Sequence, residues 1–274
     1  MLAVEARDGA AMQREAAGAA VIYNCLNPAF HRWARDWPPV AATLLDAAEH
    51  TGAVLVTMGN LYGYSPIDHP ITEQDRLGAL GTKGRVRIEM WRQALARHQA
   101  GRVRISEARA SDFFGPEVLE SHAGERVVPA LLAGKSVRML GDPDAPHTWT
   151  FMPDVARTLI RLGAEERAWG KAWHVPSSPP VSQRELARAI RSAIGGEPVP
   201  VRQLPWWLVR TIGLAVPAMR ELQETRYQFD RPFVMDSSSY AGEFGESATP
   251  FDTAIEQTVR WWQQRQAGAV PSRT

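Results

Sequence analysis

Residues 19–25 read AAVIYNC and residues 53–58 read AVLVTM. Each is a short continuous apolar run, the pattern of a strand buried on both faces in a parallel sheet. Between them, Pro38 and Pro39 lead into VAATLLDAAEH at 40–50, whose alanine and leucine spacing predicts a helix packed on a sheet and closed by Gly52. Ahead of the first run, Asp8 is the expected cap of a short helix over 9–16, with Gly18 as its exit. Beyond the second run, GNLYGYSPIDHPIT is a loop punctuated by Gly, Pro and Asn. Residues 83–98 then suit a helix, with Val86, Met90 and Ala94 recurring four apart and Gly101 as a stop, and 103–108 predict another strand. Strands alternating with helices in this way are the order of a doubly wound parallel sheet, so the expected class is α/β.

The organisation changes after Ser111. Residues 111–150 are loop-rich around a helix-like 124–133 and a strand-like 136–140. A helix is expected over 153–162 and a short strand over 172–176. In SQRELARAIRSAIGG, Ser182 and Glu185 form a capping-box pattern, and Gly195 and Gly196 end the helix. Residues 205–214, 217–227 and 250–266 read as helical, with a strand-like 232–235, and the last residues, AGAVPSRT, read as a loose tail.

Composition narrows the function classes. The 274 residues are 45% hydrophobic and 22% charged with a net charge of +1, the balance of a globular protein without a nucleic-acid-binding stripe or an acidic tail. The single cysteine, Cys25, excludes an internal disulfide framework and a multi-cysteine metal site, and points to a reducing compartment. No apolar run reaches the roughly 18 residues of a membrane helix, and MLAVEARDGA is too acidic for a signal peptide. The expectation is a cytoplasmic protein with neither membrane nor nucleic acid as partner.

Taken in order, VIYNC with its polar loop, LVTMGNLYGY, TKGRVRIEMW, EARASDFFGP, HTWTFMPDVARTLIRL and WHVPSSPPVSQRELARAI resemble the extended short-chain dehydrogenases, the NAD-dependent epimerases and dehydratases. The resemblance runs along nearly the whole chain. It implies a Rossmann-like doubly wound sheet with a smaller C-terminal α+β lobe for substrate. The dinucleotide-binding domain would comprise residues 1–110, joined by 151–176, and the lobe 111–150 and 177–274. It further implies NAD or NADP as cofactor, a small-molecule substrate and a possible homodimer.

The same resemblance carries site residues. Lys83 stands at the position of the family's catalytic lysine, and Thr57, beside Met58, near that of its serine or threonine. Tyr62-Gly63 resembles its tyrosine–glycine step. Asn24, Cys25 and Asn27 lie at the carboxyl end of the fourth family strand, where ligands sit in open α/β sheets. Arg109, Asp112, Phe113 and Pro116, in RASDFFGP, match the segment that passes over the nicotinamide into the lobe. Glu5 resembles the acidic position that meets the adenine.

Three departures accompany these matches. The G-x-x-G-x-x-G loop that brings backbone up to a pyrophosphate after the first strand is expected to have no counterpart anywhere in the chain. In the family it would lie on the order of 60 residues upstream, whereas residues 1–18 are all that precede AAVIYNC here. Either the start codon is misassigned or the product lacks its first βαβ unit. The second case would leave an exposed apolar edge and favour poor solubility or pairing with another chain.

Next, the family's Y-x-x-x-K pair is incomplete, because Ala79 stands four residues before Lys83. The chemistry needs a phenol beside an ammonium to pass a proton while hydride moves to or from a nicotinamide. Tyr62 and Tyr64 are the candidates to reach that space, and Asp68, His69 and Glu73 are other titratable groups on the same loop. Finally, side chains alternate along a strand, so Thr57 and Met58 face opposite ways and one residue of register decides which enters the site.

Other residues have local readings as well. Asp154 is the expected helix cap, and His147 and Trp149 lie in the return segment. His31 and Trp33 are candidates for a substrate wall. Trp206-Trp207 and Trp261-Trp262 are expected to pack on helices, and Arg85 and Arg87 to lie on a solvated helix face. The implied function is an epimerase/dehydratase-like oxidoreductase acting on a carbonyl–alcohol pair, with Lys83 orienting the nicotinamide ribose and a proton donor other than the usual tyrosine. The alternatives are a dinucleotide-binding sensor without chemistry, or a fragment of a longer enzyme.

Overall fold

A computed structural model describes residues 3–268. Of the tail expected at 267–274, residues 269–274 lie outside the described residues, and 267 and 268 close the last helix. In chain order the elements are α1 Gly9–Glu15, β1 Val21–Asn24, α2 Trp33–Thr51, β2 Val54–Asn60, α3 Thr82–Gln99 and β3 Arg104–Ala110. Then come β4 Asp112–Phe114, α4 Val128–Leu132, β5 Val137–Leu140, β6 Trp149–Phe151, α5 Met152–Ala164 and β7 Ala172–His174. The chain continues with α6 Gln183–Ser192, β8 Val201–Leu204, α7 Trp206–Gly213, α8 Pro217–Glu221, α9 Ser238–Phe244 and α10 Phe251–Gly268.

Four strands form one sheet in the order β1-β2-β3-β7, every pair parallel. Each connection crosses over through a helix, which is why the strands read as apolar runs. β2 shows how the sheet is covered. Leu55 points with Ile105 into a core made with α2 and α3, including Trp37, Leu44 and Leu45. Val54 and Val56 point with Ala108 into a second core with Val155 and Leu159 of α5, Trp173 and Tyr240. The two faces carry separate helix layers, the doubly wound arrangement expected from the sequence.

The remainder packs around a third core in which Phe114, Val128, Leu131, Met139, Trp149, Leu186, Ile190, Ile255 and Trp262 interlock. Two short parallel pairs, β4 with β6 and β5 with β8, frame it. The capping box of α6 is present, with Ser182 accepting from the Glu185 N–H and Glu185 from the Ser182 N–H. Asp8 caps α1 by accepting from the Ala11 N–H.

Several boundaries differ from the sequence reading. α2 begins at Trp33 and runs through Pro38 and Pro39, seven residues before the expected start. Two prolines forfeit two intrahelical hydrogen bonds, but burial of Trp33 and Trp37 on the sheet side of the same turns offsets that loss. α4 is one turn rather than the ten residues expected over 124–133. Residues 232–235 form only isolated bridges, Met235 to Ile71 and Phe233 to His147. Among the described residues, no helix is long and apolar enough to cross a membrane.

Candidate active site at the carboxyl end of the sheet

Strand register brings the polar residues together. Asn24 pairs with Thr57 and Thr57 with Glu107, so these three stand in one row across β1, β2 and β3. Two residues on, Gly59, Arg109 and His174 form a second row on the same face. That face is the one covered by α2 and α3, and a narrow crevice there, with room for little more than a water molecule, is lined by Asn24, Thr57, Trp91 and Glu107. Met58 points the other way and packs against the core that includes Val155 and Trp173.

The second row is wired into a buried network. Gly59 has no side chain because a Cβ there would lie 2.6 Å from Glu107 Oε1. Arg109 Nε donates to that oxygen at 2.7 Å, and Arg109 Nη1 donates to the Tyr64 hydroxyl at 2.7 Å. The Tyr64 oxygen lies 2.9 Å from His174 Nε2, and His174 Nδ1 lies 2.7 Å from the Asp236 carbonyl oxygen. One assignment satisfies every group: Nδ1–H donates to the carbonyl, and Nε2 accepts the Tyr64 O–H. The His174 N–H donates to Glu73 at 2.9 Å, tying in the loop before α3. Burial keeps His174 below the ordinary imidazole pKa and pushes Tyr64 up to about 12.

Lys83 is built differently. It sits in the first turn of α3, whose N-cap, Gly81, offers no side-chain acceptor for the free N–H groups there. A residue far along the chain fills that need: Glu224 Oε1 accepts the Lys83 N–H at 2.5 Å. The Lys83 side chain is only 2% exposed; its ammonium pairs with Glu221, lies 3.7 Å from Glu224 Oε2 and stands 4.8 Å above the Phe30 ring. Both carboxylates therefore meet an ammonium at the positive end of a helix.

One turn on, the Arg87 guanidinium lies 4.7 Å from the rings of both Trp33 and Trp37, not on the solvated face expected of it. Burial between those rings brings its pKa down to about 10. Arg85 is exposed. The Tyr62 ring packs beside Phe30 and Trp33, with centroids 6.1 and 5.8 Å away. Burial raises the Tyr62 phenol well above its ordinary pKa, and the charges of Asp112 and Glu224 act in the same direction.

The spacing G-x-x-G-x-x-G does occur in this chain, at Gly78, Gly81 and Gly84, and its setting explains it. It does not join a strand directly to a helix. A Cβ at Gly81 would overlap the Glu224 carboxylate, and one at Gly84 would overlap the Ala79 methyl and the Tyr62 carbonyl oxygen. Ala79 precedes α3, packed on Gly84, so it does not share a helix with Lys83.

The remaining sequence candidates scatter around this centre. Asn24 is buried, and its side-chain oxygen accepts from the Leu26 N–H at 3.3 Å; Cys25 and Asn27 are exposed. Asp112 Oδ2 lies 2.8 Å from His147 Nε2. Burial works to raise the Asp112 carboxyl, but the hydrogen bond and charge of His147, with His122 nearby, hold it below the ordinary carboxylate range. Phe113 packs partly buried against the Val155 core. His69, Asp68, Glu5 and His31 are exposed. Asp154 does not cap α5: it is buried, accepting from the Thr249 hydroxyl at 2.6 Å and the Thr249 N–H at 2.8 Å, which anchors the segment before α10.

The sequence reading had not singled out Glu107, His174, Glu221 or Glu224. For the last two the available signal was their i, i+3 spacing in RELQET, which reads equally well as a solvated face.

A dinucleotide fits one half of this arrangement. The Lys83 ammonium with the aromatic wall beside it and, separately, the unpartnered, buried Ser111 hydroxyl at the end of β3 are groups of the kind a dinucleotide could engage. Among the described residues no glycine-rich turn runs directly from a strand into a helix to take a pyrophosphate. Nor does any group of three or more His, Cys, Asp or Glu side chains among them converge to hold a metal ion.

No family model matches the chain. It is 24% identical over 234 residues to a dTDP-glucose 4,6-dehydratase of Streptomyces griseus, covering 84% of this chain and 65% of that protein. It is 27% identical over 186 residues to a UDP-glucose 4-epimerase of Mycolicibacterium smegmatis, covering 60% and 57%. It thus spans less than two-thirds of the length of these curated relatives. In fold it matches a dTDP-glucose 4,6-dehydratase from Streptomyces venezuelae solved with NAD bound, with a TM-score of 0.74 and 19% identity over 97% of this chain and 80% of that one. In the order of its sequence motifs and in its Rossmann fold, the chain is similar to the NAD-dependent epimerases and dehydratases of the extended short-chain dehydrogenase family.

Proposed function

We propose that this chain is an NAD(P)-dependent oxidoreductase of the epimerase/dehydratase type, acting on a carbonyl–alcohol pair of a sugar nucleotide. The observation that carries the reading is Lys83: a buried ammonium at the N-terminus of α3, facing the carboxyl end of a parallel sheet, beside an aromatic wall. Open α/β sheets bind ligands at that end. The named activities of the relatives supply the substrate class.

In this reading the Lys83 ammonium would donate to the ribose hydroxyls and orient the nicotinamide, and the cofactor would supply the hydride chemistry. Phe30 and Tyr62 wall the site and exclude water. Thr57, on the same sheet face, is proposed as a hydroxyl donor near the reacting oxygen. Asn24, Cys25, Asn27, Arg109, Asp112 and Phe113 are proposed to surround the cofactor. Asp112 and His147 mark the way to the lobe that selects the substrate. A second reading, a nucleotide-binding module without turnover, draws its support from Ala79, which cannot move a proton.

Fluorescence titration of NADH and NADPH tests the reading, applied to this chain and to the same chain extended by the reading frame upstream of Met1. Saturable binding is expected. Removing the lysine in Lys83→Ala costs a charge-assisted hydrogen bond of about 1.5–3 kcal/mol, weakening binding by about 10- to 100-fold. Absence of saturable binding by both proteins overturns the proposal.

A further inference from the structure

We infer that Glu221 is the proton-accepting group of this site, with Glu224 as its positioning partner, in the role that Ala79 leaves vacant. This rests on the oxidoreductase reading. Removing hydride from an alcohol carbon requires something to take the hydroxyl proton. The position four residues before Lys83 offers only a methyl group, packed on Gly84. Tyr64 is 1% exposed, with its hydroxyl held between Arg109 and His174. Tyr62 stands in the right wall, but burial and two neighbouring carboxylates keep its phenol protonated.

The carboxylates of Glu221 and Glu224 are the ones that contact Lys83 among the described residues. Their side chains keep 21% and 22% of their exposure while the lysine keeps 2%, so an incoming hydroxyl can reach them without Lys83 leaving its place. The packing is specific to them. Gly81 leaves the space that Glu224 fills, and α8 rests on the turn at residues 30–32 that follows β1, holding Glu221 over the site.

The two carboxylates divide the work. Glu224 is fixed by the Lys83 backbone N–H, so its position is set by α3. Glu221 has no backbone N–H partner: its Oε2 meets the ammonium and its Oε1 lies 3.8 Å from the exposed Arg220 guanidinium, so it can exchange the ammonium contact for a substrate hydroxyl. In the forward step the substrate O–H bond breaks and its proton passes to a Glu221 carboxylate oxygen. The carbinol C–H bond breaks, hydride goes to the oxidised nicotinamide of NAD(P)⁺, and a C=O bond forms. The reverse step returns the proton from the carboxylic acid.

The test uses wild type, Glu221→Gln and Glu221→Asp, each first titrated with NADH. Failure of both the wild-type chain and its upstream-extended form to bind NADH sinks the oxidoreductase reading itself, and this inference with it; the variants are made in whichever form binds. Given binding, reduction of NAD⁺ by UDP-glucose or dTDP-glucose is followed at 340 nm. Glu221→Gln is expected to bind NADH within about threefold of wild type and to lose about 10²-fold or more in rate. Glu221→Asp should recover part of that rate with a displaced pH profile, which a merely structural role would not produce. A Glu221→Gln protein that binds NADH and reduces NAD⁺ at the wild-type rate overturns the assignment.

If wild type binds NADH but reduces NAD⁺ with neither sugar nucleotide, carbodiimide coupling decides. The Lys83–Glu221 amide, read by mass spectrometry, should form in free protein and fall several-fold under saturating NADH. An unchanged yield places the pair outside the cofactor's reach and refutes the inference.

Discussion

Replacing Glu107 by leucine isolates the energetics that hold the carboxyl end of the sheet. Glu107 and Arg109 are 8% and 3% exposed and joined at 2.7 Å. Beyond Glu107, the guanidinium has the Tyr64 hydroxyl at 2.7 Å and the Trp91 ring at 5.2 Å. Neither is charged, so Glu107→Leu strands a buried cation. Removing one member of a buried pair costs about 3–5 kcal/mol, a large share of the roughly 5–15 kcal/mol available to a folded domain. Replacing both, in Glu107→Leu/Arg109→Met, removes the stranded charge and fills the space with apolar groups; the double variant should lie within about 1 kcal/mol of wild type. Urea unfolding of the four proteins of this cycle measures the coupling. A single variant that loses less than about 1 kcal/mol, or a double variant as unstable as the sum of its singles, would refute the claim that this pair is desolvated and mutually dependent.

Three further outcomes follow from the same geometry. Tyr64→Phe leaves Arg109 short of an acceptor and His174 Nε2 short of a donor, so urea unfolding should show a loss of about 2–4 kcal/mol. Gly81→Ala drives a methyl into the Glu224 carboxylate and should cost about 1–3 kcal/mol, read as a lowered Tm with α3 loosened in hydrogen exchange. Burial brings His122 down to about 4, so below pH 6.5 the unfolded chain takes up a proton that the folded chain refuses. Its contribution is complete above 6.5 and about 3 kcal/mol of stability is lost between there and pH 4. His122→Phe, which keeps a ring against Trp149 and Phe229, should flatten that slope in unfolding curves at pH 7, 5.5 and 4.5. An unchanged slope would reject the assignment.

The frame of the fold was legible because its signals are local. AAVIYNC and AVLVTM announce β1 and β2, and the Ser182–Glu185 box places the start of α6 to the residue. Doubly proline-marked α2 was read short because proline speaks for a first turn, while the burial of Trp33 and Trp37 that extends it upstream is a tertiary effect. The site was legible only where one side chain marks it. Lys83 could be singled out at the start of its helix, but its carboxylate partners lie 138 and 141 residues away in sequence. Charged residues inside β3 give no local sign of burial; that Glu107 and Arg109 satisfy each other under α3 depends on Gly59 and Trp91. Arg87 was misread for the same reason: two tryptophans from another helix sandwich it.

A crystal structure of the protein grown with NADH shows whether a nicotinamide ribose docks against Lys83. The expected density has ribose hydroxyl oxygens within hydrogen-bond distance, about 2.7–3.2 Å, of Lys83 Nζ, and the nicotinamide ring turned toward Glu221. A ring bound on any other face, or a Lys83–Glu221 contact undisturbed beneath a cofactor that lies elsewhere, would contradict the account.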